Sequence, residues 1–115
     1  MDSSKELSSY RLDSAIVRET AQRIIDDFEY FHVEITFSGN ERTAYEELMN
    51  QLIPAMNNLL VKNKQKLMQV LYKIDISEQK LSKAISKFPK VQLAEIIAHL
   101  VIEREMQKVI TRKLF

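Results

Sequence analysis

Apolar residues recur at helical spacing along most of this chain. Ile16, Val17, Ala21, Ile24, Ile25, Phe28 and Phe31 share one face, while Arg18, Glu19, Gln22, Arg23, Asp26 and Asp27 take the other. That pattern predicts an amphipathic helix of about five turns, capped at its start by Asp13. The period then changes to two in "FHVEITF", residues 31–37, where Phe31, Val33, Ile35 and Phe37 alternate with His32, Glu34 and Thr36. Alternation of this kind reads as a half-buried strand, or as an extended linker laid over the core. A strand needs a partner for its N–H and C=O groups, and the best internal one is the poor "SSYRL" at 8–12.

"SGN" at 38–40 holds the only glycine and closes that segment. Ser38 with Glu41, and Thr43 with Glu46, both match a capping box, which places the next helix start between 39 and 44. Its stripe is Tyr45, Leu48, Met49, Leu52, Ile53, Met56, Leu59 and Leu60, and the phase returns at Leu67, Leu71 and Ile74. One unbroken helix over 43–74 would be about 48 Å long. A compact domain of this size is only about 35 Å across. We therefore expect a kink near Pro54 and a break at 62–64, where Asn63 falls on an apolar position. A third unit covers 64–74. A fourth follows Ser77 with Leu81, Ala84, Ile85 and Phe88 inward, and Pro89 stops it. The last helix starts near Val91 and is apolar almost all round as far as Ile102, so it is central or covered by another subunit. Glu103, Arg104 and Glu105 then restore a polar character, and Arg112 and Lys113 suit a helix C-terminus.

The fold expected is all-α: an irregular bundle of four to five helices over residues 13–115, one short extended segment at 31–37, and a flexible tail at 1–12. The composition agrees. One Gly and two Pro in 115 residues leave little turn chemistry for a many-stranded sheet. The absence of cysteine excludes disulfides and thiolate chemistry and fits a reducing, cytoplasmic setting. "MDSSKELSSY" does not read as a signal peptide, and no apolar run approaches the roughly 18 residues of a membrane span.

The net charge of +1 conceals a split. Residues 1–50 hold eleven acids against five bases, whereas 62–90 hold eight lysines against Asp75 and Glu78. The two parts could complement each other across one fold or between two copies, or the basic part could meet a polyanion. The corner "LYKIDISEQKL" at 71–81 sharpens the second option. Val70, Ile74, Ile76, Leu81 and Ile85 are spaced like the apolar positions of a helix-turn-helix, and Lys73, Lys80, Lys83 and Lys87 offer a polyanion-binding face. Against it, Leu71 stands where the helices of such a motif need a small residue. Asp75 replaces the turn glycine, and the basic segment is lysine only, with no Arg to grip guanine. Asp75 or Ser77 is then a cap in an ordinary corner.

Candidate chemistry is thin. Glu95, His99 and Glu103 form a ladder at four-residue spacing on the last helix, but one helix face cannot enclose an ion, so neither a metal nor any other cofactor is expected. One glycine excludes a glycine-rich phosphate cradle. Met49, Met56, Met68 and Met106 read as core filler. Two stretches, Leu71 to Glu78 ("LYKIDISE") and Ile102 to Lys108 ("IEREMQK"), resemble a family of small uncharacterised bacterial helical proteins. The resemblance covers roughly residues 66–110. It implies an intracellular bacterial protein and assigns no functional residue. The expected function is non-enzymatic protein–protein interaction. Self-association as a dimer would run through Phe31, Val33, Ile35 and Phe37, with nucleic-acid binding at the 64–88 corner as the alternative.

Overall fold

Asp13 opens the first helix as its residue type predicts: its carboxylate accepts hydrogen bonds from the N–H groups of Ala15 (3.0 Å) and Ile16 (3.2 Å). The computed structural model describes residues 13–114. The tail expected at 1–12 lies outside them. Among the described residues the chain forms helices α1 (Ser14–Tyr30), α2 (Ala44–Lys62), α3 (Lys64–Ile74), α4 (Glu78–Lys87) and α5 (Leu93–Leu114), with a 3₁₀ turn at Glu41–Thr43. There is no strand among them.

The strand reading of 31–37 is corrected by the end of α1. The Val33 N–H reaches the Phe28 carbonyl (2.9 Å) and the His32 N–H reaches that of Glu29 (2.9 Å), with His32 at φ +61°. These paired bonds around a left-handed residue are a Schellman stop. A left-handed residue at 32 breaks any strand begun at Phe31. Beyond it, the Gln51 side chain of α2 takes both the N–H and the C=O of Thr36, each at 2.8 Å, and Glu47 accepts the Ser38 N–H at 3.0 Å. Side chains of α2 thus serve these backbone groups in place of a neighbouring strand. The alternation was a true burial signal all the same. Phe31 and Ile35 are in the core, and Val33 and Phe37 pack against it.

The capping boxes also resolve differently. The 3₁₀ turn displaces α2, so Asn40 caps the turn by accepting the Arg42 N–H (3.1 Å). Glu47, rather than Glu46, gathers the hydroxyls of Ser38 (2.7 Å) and Thr43 (2.8 Å). Gly39 supplies the turn at φ +95°.

α2 runs through Pro54, which lies on its exposed side, and ends at Lys62. The break falls at Asn63 (φ −154°, ψ 75°), whose carboxamide caps α3 by accepting the Lys66 N–H. Without that break a single helix would outrun a molecule only 35 Å along its longest axis. α3 ends in a second Schellman stop: the Ile76 N–H bonds the Leu71 carbonyl (2.9 Å), with Asp75 at φ +70°. Arg104 of α5 locks this corner, donating to the Asp75 carboxylate (2.8 Å) and to its carbonyl (3.1 Å). Ser77 then caps α4.

α5 begins at Leu93, slightly later than the apolar run suggests, and lies at the centre. It packs against α1, α2, α3 and α4. Ile96, Ile97, Ala98, Leu100, Val101 and Ile102 point in different directions and are all buried. Its apolar excess is therefore covered within one chain. No described helix is long and apolar enough to cross a membrane.

Candidate functional site

Polar residues inside the most apolar helix need partners, and α5 carries two buried carboxylates. Glu103 is 2% exposed. Burying an ionised carboxylate without compensation is strongly unfavourable. Compensation comes from its own helix and from α4: His99 Nε2 lies 2.9 Å from Oε2, and Lys80 Nζ lies 3.9 Å from Oε1. The other imidazole nitrogen, His99 Nδ1, is 2.6 Å from the Tyr45 hydroxyl on α2. With Glu103 ionised and His99 neutral, Nε2–H donates to the carboxylate and the Nδ1 lone pair accepts the Tyr45 O–H. Four side chains from three helices thus form one polar chain, Lys80–Glu103–His99–Tyr45. The two rings meet edge to face at 5.8 Å.

That chain ends in a cleft of about 460 Å³ between α2, the 88–91 turn and the N-terminal half of α5. Tyr45 and His99 form its polar floor. Met49, Ile53, Phe88 and Ile96 supply apolar walls, and Glu46, Asn50 and Glu95 stand around them. The volume lies within the range of about 300–1,000 Å³ found for small-molecule sites. Glu46 and Glu95 are exposed, and neither has an ion pair or hydrogen bond among the described residues. Among the described residues, the lining contains no Ser, Thr, Cys or Lys.

The second buried carboxylate is sealed away from this cleft. The Glu105 side chain is wholly buried between α1 and α5, 3.5 Å from Arg23 Nε and 3.2 Å from Lys108 Nζ. Neither of its oxygens makes a hydrogen bond of good geometry. Burial first, and the neighbouring Asp27 carboxyl second, push its pKa up from 4.5 to about 7, against the pull of Lys108.

The residues singled out by sequence are dispersed. Phe31 and Ile35 are buried and Val33 and Phe37 half-buried, all against this chain's own core. Lys80, Lys83 and Lys87 share one side of α4, but Lys80 is turned to Glu103 and Lys87 lies over Phe88 (5.9 Å). Lys73, on α3, lies over the Tyr30 ring of α1 at 4.6 Å. The Glu95–His99–Glu103 ladder does form its upper rung, with Glu95 left at the cleft. Sequence reasoning missed Tyr45, and the signal was available: a tyrosine in an apolar stripe must find a partner for its hydroxyl. It also missed the burial of Glu103 and Glu105. No protein-family model matches the chain, and no curated protein or solved structure matches it either.

Proposed function

We propose that this protein is a non-enzymatic binding module whose recognition site is the cleft between α2 and α5. The observation that carries this is the Lys80–Glu103–His99–Tyr45 chain, which brings two hydrogen-bonded polar groups to a cleft with apolar walls from Met49, Ile53, Phe88 and Ile96. A few fixed polar groups on apolar walls are what small-molecule sites use to orient a ligand. Binding is favoured over catalysis because both His99 nitrogens are already engaged, and among the described residues no hydroxyl other than that of Tyr45, no thiol and no amine lines the cleft. The test is an NMR fragment screen at millimolar concentration. Fragments should shift the amides of Met49, Asn50, Ile96 and His99, and Ile53→Trp, which fills the cleft, should abolish those shifts. A screen in which nothing moves these amides would sink the reading.

A second reading keeps contact with another protein, or with a second copy of this chain, and places it on a different surface. Residues 31–37 and α5 are covered, whereas Tyr72 (88% exposed) and Met68 (50%) stand one helical turn apart on the outside of α3. This reading expects a dimer in sedimentation at micromolar concentration that Tyr72→Ala with Met68→Ser dissociates. A wild-type monomer at that concentration rejects self-association.

A further inference from the structure

We infer that the α2–α5 cleft selects a cation with an apolar body, such as a protonated aryl-alkyl amine; this rests on the binding reading above. The walls from Met49, Ile53, Phe88 and Ile96 demand an apolar body. The charge demand comes from Glu46 on α2 and Glu95 on α5. They line the cleft from two different helices, and neither has a cationic partner among the described residues. Lys80 does not neutralise them, because it is directed to Glu103. Lys87 lies over the lining residue Phe88 at 5.9 Å, and Lys90 stands next to the lining residue Val91 in the sequence. An anionic ligand would meet two uncompensated carboxylates, while an ammonium would be drawn to both. Low-dielectric walls strengthen that attraction relative to open water.

The experiment uses three probes of one shape and different charge: 2-phenylethylamine, 2-phenylethanol and phenylacetate, each titrated into the full chain at pH 7 and followed by amide shifts. The amine should bind about tenfold more tightly than the alcohol, a difference of about 1.4 kcal/mol. Phenylacetate should bind more weakly than the alcohol. Glu46→Gln and Glu95→Gln should each lower amine affinity several-fold and leave the alcohol unchanged. Both positions are exposed, so folding is not at stake. Added salt should weaken the amine alone. An alcohol that binds as well as the amine, or a preference for phenylacetate, overturns the charge inference and leaves the cleft reading standing. Failure of all three probes at millimolar concentration removes the cleft reading and this inference together.

Discussion

Raising the pH from 5 to 8.5 should weaken the fold through one side chain, Glu105. Its carboxyl is wholly buried and has Asp27 for a neighbour, so the folded chain holds a proton there up to about pH 7. The unfolded chain releases that proton near the ordinary glutamate value of 4.5. Between those values the folded state binds more protons, so stability falls as pH rises. The contribution is complete below 4.5 and lost above about 7. At about 1.4 kcal/mol per pH unit, the loss is about 3 kcal/mol. That is a large share of the about 5–15 kcal/mol that holds a domain folded. Glu41, Glu47 and Asp75 act in the opposite sense. Hydrogen bonds from Ser14, Ser38 and Arg104 respectively hold their carboxyls below the usual range, so their contributions fade only in more acid solution. Urea unfolding followed by circular dichroism at intervals from pH 5 to 8.5 isolates Glu105. Wild type should lose stability across the window. Glu105→Gln, neutral at every pH, should stay level, and Asp27→Asn should move the midpoint down. A flat wild-type profile refutes the reasoning. So does a Glu105→Gln variant several kcal/mol weaker than wild type at pH 8, because Glu105 would then be a permanent anion held by Arg23 and Lys108.

Three further outcomes test the fold. His32→Val should destabilise by about 1–2 kcal/mol in denaturant unfolding, because a β-branched residue resists the left-handed conformation, whereas His32→Gly should be neutral or better; a strand at 31–37 would reverse that order. Arg104→Ala should return the Asp75 pKa toward 3.8, read by NMR titration of its carboxyl, since Arg104 is the largest cause of its depression. Ile97→Ala, at the centre of α5 and 1% exposed, should cost about 2–5 kcal/mol, while Ile85→Ala, 41% exposed, should cost much less.

Local signals located most boundaries. Asp13, Asn63 and Ser77 cap the helices that follow them, and α4 ends just before Phe88–Pro89. These cues are local because a cap bonds N–H groups only two or three residues away. The central place of α5 was legible in its apolar girth. What failed depended on distance. A period of two reports alternate burial and does not say whether the backbone is paired with a strand or with Gln51. The left-handed stop at His32 lacks the glycine that would advertise it. Tyr45 and His99 are 54 residues apart, and nothing local to either announces the other. "EREM" reads as the return of a polar face, yet Glu103 and Glu105 are buried because residues of α1 and α4 reach them.

Those two carboxylates, half a turn apart on one helix, are buried in different surroundings. A buried ion cluster is weak support for a fold, since apolar replacements of similar volume are often as stable. Glu105 fits that description: it is poorly hydrogen-bonded, holds its proton to about pH 7 and leads nowhere. Glu103 differs in what its burial achieves. Its second oxygen lies 2.9 Å from His99 Nε2, His99 Nδ1 lies 2.6 Å from the Tyr45 hydroxyl, and the chain ends at the lining of a cleft rather than in the core. Three helices contribute to it, so it orders groups that no single helix could place. Arg104, between the two glutamates in sequence, faces outward to the Asp75 corner and so sets the position of α4, which carries Lys80. The two sequence stretches that stand out, 71–78 and 102–108, are therefore one physical unit: a corner and the helix that clamps it. Through α4 that clamp bears on the polar chain beneath the cleft.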